Sequence, residues 1–358
     1  MPSLKEIKGR INSISSTLAI TSAMKMVAAA KLQKAQMAIQ NMLPYERRLH
    51  SMLLDLMGAM NISAAASEDG SVRGSGSAER GFDQSGDRLS LSNRHDLAGM
   101  DGAYSLMAQR EVRKVAIVAF ASNSSLCGAF NSNVIREATA VINEYRASGL
   151  GDADITVYSV GRKMAEAMKK LGFPSPADFT KMSDSPSYDA ASALAQELFD
   201  GFVSGRFDKV ELVYNHYKST SSQPTTRQTY LPLSLADATA DIQVGKITDS
   251  ASESDTNRGA EPVGAPVVRQ GSPTTEDLIV EPSKEELIAT LLPKVVRLRV
   301  FTTLLDSTAA EQAARTVAMQ LATDNGNDLL QELTLEYNKG RQQKITSEIL
   351  DLVGGSMQ

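Results

Sequence analysis

The residue types that most often carry out chemistry are few in this sequence and lie far apart. The three histidines, His50, His95 and His216, never share a helical turn, so no two are spaced to hold a metal ion. The single cysteine, Cys127, excludes an internal disulfide and a thiolate cluster, and no Gly-x-Ser-x-Gly motif marks a nucleophilic serine. We interpret His216 as a structural histidine rather than a general base. The sequence therefore predicts no catalytic site, no metal site and no cofactor.

One loop lies where an α/β sheet could bind a phosphate group. Residues 122–131 follow the apolar run Val115 to Phe120 and precede a helical stretch, which is the strand–loop–helix arrangement of phosphate sites. The loop holds one glycine, Gly128, and lacks the Gly-Lys-Ser/Thr sequence of a P-loop. The sequence favours a plain turn over nucleotide binding.

Short β-branched runs alternate with helical patterns between residues 112 and 235. The alternation indicates an α/β fold of Rossmann-like type with parallel strand pairing. The predicted strands are residues 115–120, 155–160, 209–217 and 226–231. The predicted helices are residues 131–147, 163–171 and 187–203.

Two long helical patterns flank this region, over residues 1–62 and 281–358. In the first, apolar residues recur with a spacing of three and four, the period of a coiled-coil seam: Leu4, Ile7, Ile11, Ile14 and Leu18. A helix of this length needs a long partner, and the second pattern offers one. Since one chain carries both, we expect an antiparallel coiled coil. The alternative is that two separate helices pack on one globular core.

Composition sets the remaining limits. Residues 63–111 and 236–280 are rich in Ser, Gly and Asp, so we interpret the first as a mobile insertion and the second as a disordered or loop insertion. The formal net charge of −5 gives no argument for nucleic-acid binding. No apolar run approaches the roughly 20 residues of a membrane span, so we expect no direct membrane insertion.

Several stretches together resemble the gamma subunit of F-type ATP synthase. They match that family in order and spacing over residues 1–60, 112–235 and 280–358. The matching stretches are Ile20 to Ala29, Leu126-Cys127-Gly128 with Asn131, Glu311 to Arg315, Ala322 to Asn325, Tyr337-Asn338-Lys339, Arg341-Gln342 and Ile345 to Glu348.

The resemblance implies a rotating central shaft without a catalytic site of its own. Its expected partners are the alpha and beta subunits of the catalytic ring, the epsilon subunit and the ring of c subunits. The residues expected to contact beta subunits, or to couple to that contact, are Met24, Glu311, Arg315, Arg341, Gln342, Thr346 and Glu348. Glu281 matches a glutamate that faces the c ring. The expected location is the cytoplasmic face of a bacterial inner membrane, as a peripheral subunit.

Two other classes of protein compete with this hypothesis. An α/β enzyme with helical extensions would bind a small molecule by itself. A coiled-coil scaffold with an α/β domain would assemble with partners without rotating. We expect the shaft to bind no small molecule and to support an ATPase that stops when the shaft is tethered to its ring.

Overall fold

The computed structural model describes residues 3–59, 106, 110–233 and 284–356. Along the chain, one long helix precedes an α/β domain and a second long helix follows it. The helices are α1 (Leu4–Ala59), α2 (Phe130–Ala147), α3 (Arg162–Lys170), α4 (Thr180–Asp184), α5 (Tyr188–Val203) and α6 (Lys284–Ser356). The strands are β1 (Val115–Phe120), β2 (Ile155–Val160), β3 (Lys209–Asn215) and β4 (Thr225–Leu231). The predicted fold class, an antiparallel pair of terminal helices with a central α/β domain, is confirmed.

The terminal helices are the longest elements of the molecule. At 1.5 Å per residue, the 73 residues of α6 span about 110 Å and the 56 residues of α1 about 84 Å. Each continues through an internal proline, Pro44 in α1 and Pro293 in α6. The pair is antiparallel because Thr302 hydroxyl donates to Glu46 at one end, while Gly340 lies against Leu4 at the other.

The four strands form one mixed sheet in the order β2-β1-β3-β4. β1 pairs in parallel with β2 and with β3, as the alternation of strands and helices predicts. β4 pairs with β3 in antiparallel orientation, so the prediction of parallel pairing is wrong for this strand. The reason is the connection: residues 216–224 contain no crossover helix, and a parallel return needs a dozen or more residues.

The sheet has helices on both faces because successive side chains of a strand point to opposite faces, and those of β1 are apolar on both. Val115, Ile117 and Ala119 of β1 pack with α2 and α3. The intervening residues of β1 face the other way, into a second core that contains α5, the first turns of α6 and the last turns of α1. The long helices are therefore built into the domain core at one end and leave it at the other.

A buried carboxylate fastens β4 to the sheet. The side chain of Glu211 on β3 is 1% exposed. Arg227 of β4 and Lys209 of β3 each donate a hydrogen bond to its carboxylate, both at 2.7 Å. The hydroxyl of Tyr145 on α2 donates a hydrogen bond to the same carboxylate at 2.6 Å. Burial alone would raise the pKa of Glu211, but these three donors hold it below its ordinary value. The carboxylate is thus charged and fully used within the fold.

Candidate functional site

The edge of the sheet where α/β proteins bind ligands is covered by α6. The chain leaves β1 to form β2 on one side and later forms β3 on the other, so the carboxyl end of β1 is the topological switch point. The loop that follows β1 and the segment that follows β3 both make polar contacts with α6. A helix of the same chain therefore occupies the crevice that would otherwise receive a ligand.

The loop after β1 takes its shape from Asn131 at the start of α2. The Asn131 side-chain oxygen accepts from the backbone nitrogen of Ser122 at 3.0 Å, and its amide donates to the Ser124 carbonyl at 3.2 Å. Gly128 has a φ of +59°, and a Cβ there would lie 3.8 Å from the Ala318 side chain. The glycine therefore permits a left-handed turn beside α6, and no phosphate is needed to explain it.

A buried arginine joins this loop to α6. Arg315 donates to the Ser125 carbonyl at 2.6 Å and to the Glu311 carboxylate one turn earlier, also at 2.6 Å. The two side chains are 9% and 10% exposed. Burial raises the pKa of Glu311, and the guanidinium opposes that rise. Arg315 thus neutralises a buried carboxylate and holds the loop with a single guanidinium group.

A second polar contact joins the segment after β3 to α6. The two oxygens of Asp306 accept separately, from His216 Nδ1 at 2.6 Å and from the backbone nitrogen of Tyr217 at 2.9 Å. The hydrogen bond to Asp306 raises the pKa of His216 above its ordinary value, although burial opposes the shift. The Tyr217 hydroxyl accepts from Gln36 of α1 at 2.7 Å, so the same segment reaches both long helices.

Small side chains line the helices between these two contacts. Ala309 and Ala313 are fully buried against Leu32 and Ala35 of α1. On the domain side, Cys127, Phe130 and Ala310 form a separate buried cluster, with Ala314 packed against it. Cys127 is 1% exposed, which agrees with its interpretation as a small packed residue. Alanine allows close backbone approach here, and the polar contacts lie just outside it.

Beyond Ala318, α6 pairs with α1 through a more polar seam. Lys25 donates to Gln320 at 2.5 Å, and the Thr323 hydroxyl lies 3.1 Å from that of Thr21. Further along, Leu18 fills the space left by the missing side chain of Gly326. Leu4 packs in the same way at Gly340. Small residues on α6 thus receive the leucines of the α1 heptad seam.

The last part of α6 continues past the start of α1 as a single helix. Residues 341–350 are all exposed, and so are Leu352 and Val353. This stretch is strongly apolar in places: Ile349 is 54% exposed, Leu350 65% and Leu352 74%. Apolar side chains in such numbers on a lone helix indicate a surface that other molecules cover.

The described residues that are expected at partner contacts lie in three places. Arg341, Gln342, Thr346 and Glu348 lie together on the exposed lone helix, where Lys344 and Glu348 form a 3.7 Å ion pair. Glu311 and Arg315 lie buried at the domain, and Met24 is half-buried on α1. Glu281 falls outside the described residues.

Sequence reasoning missed Asp306 and Tyr217 and gave no role to the Ser125 carbonyl. His216 was expected to be a satisfied structural histidine, and the contact with Asp306 agrees with that interpretation. Its partner could not be found from sequence because 90 residues separate the two. The sequence signal that was available is Asp306 on the apolar face of a helix, since a carboxylate there needs a donor.

The described residues contain neither a metal site nor a membrane-spanning helix. Over 3–59, 110–233 and 284–356, no group of three His, Cys, Asp or Glu side chains is placed to hold a metal ion. Within these same ranges, no helix is long and apolar enough to cross a bilayer.

The fold and the contacts at the carboxyl end of the sheet define a class of protein: a helical stalk that carries an α/β domain and covers the crevice where such domains bind ligands. Known proteins resemble this chain in sequence and in structure. The ATP synthase family model (ATP-synt) matches residues 3–357. The ATP synthase gamma chain of Phocaeicola vulgatus is 47% identical over 357 residues, covering 100% of each chain. That of Bacteroides thetaiotaomicron is 45% identical over 358 residues, again covering 100% of each.

A solved structure has the same fold. It is a chain of the Euglena gracilis mitochondrial ATP synthase, in a structure of OSCP, F1 and c-ring in rotational state 3. The TM-score is 0.52 at 19% identity, covering 99% of this chain and 93% of that one. The chain described here belongs to the ATP synthase gamma-chain family.

Proposed function

We propose that this chain is the central rotating shaft of an F-type ATP synthase, which couples ion flow through a membrane ring to ATP synthesis or hydrolysis at the beta subunits. The observation that carries the proposal is the lone end of α6. Residues 341–350 are exposed among the parts of the chain that the structure describes, and they combine the apolar side chains of Ile349 and Leu350 with Arg341, Gln342 and Glu348. A ring of alpha and beta subunits around this helix would cover the apolar residues and meet the polar ones.

The subunit itself contributes no catalytic group in this proposal. Support comes from what occupies the sheet edge: Arg315 and Asp306 of α6 fill the crevice with contacts that are already satisfied. Catalysis then belongs to the partners, and this chain changes which state each beta subunit adopts. A shaft does so because its faces differ, so that each orientation favours a different conformation of the neighbouring subunit.

The domain end of the molecule would face the membrane. We propose that Glu281 and the α/β domain meet the ring of c subunits and the epsilon subunit, at the cytoplasmic face of a bacterial inner membrane. The chain would be held there by its partners. The contacts with beta at Met24, Arg341, Gln342, Thr346 and Glu348 are part of the same proposal.

A reversible cross-link tests this function. Glu348→Cys, placed in the assembled complex with a cysteine on the facing beta surface, should form a disulfide that abolishes ATP turnover, and reduction should restore it. The matched control is Lys169→Cys, which is exposed on α3 of the domain and should not cross-link to the ring. Native Cys127 is buried and should stay unreactive.

The same experiment separates the shaft from a fixed scaffold. A scaffold would keep its turnover with the Glu348→Cys cross-link in place, because nothing needs to move. Full turnover in the cross-linked state would therefore refute rotation while leaving assembly intact. No specific observation favours the scaffold.

A further inference from the structure

Where the shaft leaves the domain, α6 is bound by hydrogen bonds, which depend on direction, and by apolar packing between them, which does not. We define the domain–helix joint as the polar contacts of Ser125, His216 and Tyr217 with Asp306 and Arg315. We propose that this joint fixes the angle of the shaft relative to the α/β domain, and that Asp306 is its principal positioning residue. The inference rests on the proposed function, since an angle matters only if the domain and the shaft transmit torque.

The packing between the two polar contacts is less directional than the contacts themselves. Ala309, Ala310, Ala313 and Ala314 present only methyl groups to α1 and to the domain, and apolar contact is non-directional. A helix with such a surface could turn slightly under load at little cost. Hydrogen bonds resist such turning because they weaken steeply when their angles change. The joint supplies them on each side of the alanine surface.

The two contacts are well separated along the shaft. Asp306 and Arg315 are nine positions apart on one helix, about 14 Å along its axis. They also bind different parts of the domain, the segment after β3 and the loop after β1. Residues 288–304 of α6 are held by packing in the domain core, and the two polar contacts extend that attachment beyond the core, where they resist tilt and rotation.

Asp306 is the principal positioning residue because both of its carboxylate oxygens bind the domain, whereas Arg315 makes one bond to the domain and one within α6 itself. One faces His216 Nδ1 and the other accepts from the backbone of Tyr217. An asparagine has a single side-chain oxygen, so Asp306→Asn can still accept from the Tyr217 backbone but no longer offers a charged acceptor to the protonated ring of His216. Since Tyr217 also binds Gln36, the segment connects the domain to α1 and α6 together.

The contact is also titratable. The side chain of His216 is 33% exposed and that of Asp306 is 19% exposed, so the pair is partly buried but still reached by solvent. The charged groups that act on His216 are Asp306 of α6, which favours the protonated ring, and Lys218 of its own segment, which opposes it. From α1 the neighbour of this segment is Gln36, which carries no charge. The ion pair should therefore weaken as the pH rises through the raised pKa of His216.

Single-molecule rotation of the full complex tests the proposal. The catalytic ring is immobilised, and a probe on Lys169→Cys reports the angle of the α/β domain during the pause before ATP binding. The angular variance of Asp306→Asn should exceed that of the parent complex by up to about twofold, the ratio expected if one of two equally stiff attachments were lost. Asp152→Asn is the matched control, because it removes a carboxylate from an exposed ion pair with Arg146 on the domain.

A biochemical readout accompanies the variance. In reconstituted vesicles, Asp306→Asn should hydrolyse ATP at close to the parental rate but pump fewer ions per ATP against an opposing gradient. Asp152→Asn should match the parent in both respects. A variance and a pumping ratio of Asp306→Asn equal to those of Asp152→Asn would overturn the proposal.

A second comparison applies if Asp306→Asn does not assemble. Parent and His216→Gln complexes are measured at pH 6.0 and pH 8.5. The variance of the parent should rise with pH as His216 loses its charge, and that of His216→Gln should not change with pH. An equal response in both complexes would overturn the role of the joint. A parent complex that assembles but never rotates would instead refute the proposed shaft function.

Discussion

Removing Arg315 should expose how strongly the buried ion pair supports the shaft. Arg315→Ala deletes two donors, one to Glu311 and one to Ser125, and leaves a carboxylate that is only 10% exposed without its counter-ion. Breaking a buried pair from one side costs about 3–5 kcal/mol of unfolding free energy. We expect a loss in that range at pH 8.

The double variant Glu311→Met with Arg315→Met separates the two components of this loss. It removes both charges while keeping the volume, and a buried pair replaced in this way is often nearly neutral. The Ser125 carbonyl still loses its donor, which leaves a cost of about 1–3 kcal/mol. The double variant should therefore be more stable than Arg315→Ala, although it carries one more substitution.

Acidic pH should partly restore the single variant. Burial already raises the pKa of Glu311, and loss of the guanidinium removes the charge that opposes the rise. A folded-state pKa above the unfolded one means that the folded state binds more protons, so stability increases as the pH falls. The deficit of Arg315→Ala should shrink between pH 8 and pH 5, and that of the double variant should not.

Urea denaturation of the full chain, followed by far-ultraviolet circular dichroism, measures these differences. The control is Arg10→Ala, which breaks an ion pair of the same i,i+4 spacing between Arg10 and Glu6, side chains that are 61% and 52% exposed. It should change stability by less than about 1 kcal/mol. A double variant as unstable as Arg315→Ala, or a deficit independent of pH, would refute the reasoning.

Three further variants test the domain by the same denaturation assay. Gly161→Ala should destabilise by at least about 2 kcal/mol, because φ is +97° and the new Cβ would lie 2.0 Å from the Ala121 carbonyl oxygen. Leu292→Ala should cost about 2–5 kcal/mol, since this fully buried side chain of α6 lies in the domain core. Glu211→Gln should destabilise at pH 7, and the difference should vanish as acid protonates Glu211 in the parent, whose lowered pKa supplies stability only at higher pH. A constant difference down to acid pH would contradict the last expectation.

The elements of this fold were predictable where a periodic pattern was long or a strand was buried on both faces. The strand Ile155–Val160 was predicted with its observed bounds, and the heptad seam of α1 predicted a long helix with a distant partner. The short helix α4 (Thr180–Asp184) was missed, because five residues are too few for a period to be recognised.

The direction of β4 and the joint were not predicted, for different reasons. β4 was predictable in principle, since a short connection favours an antiparallel return. The joint depends on how far along α6 the domain packs, and a heptad pattern does not fix that register. Ser125 and Arg315 are 190 positions apart, and a backbone carbonyl leaves no mark in the sequence.

The polar groups at the carboxyl ends of β1 and β3 are already bound by α6. In an α/β protein that binds ligands, the groups at the carboxyl ends of the strands stay available for the ligand. Here Asp306 and Arg315 of α6 satisfy them, at the level where the long helices leave the domain. If the joint fixes the angle of the shaft as proposed, these contacts make the crevice a mechanical connection, because groups bound to α6 are not available to a ligand. The same fold then positions a helix instead of a substrate. Because α6 is one continuous helix, its orientation in the domain sets the orientation of its exposed end.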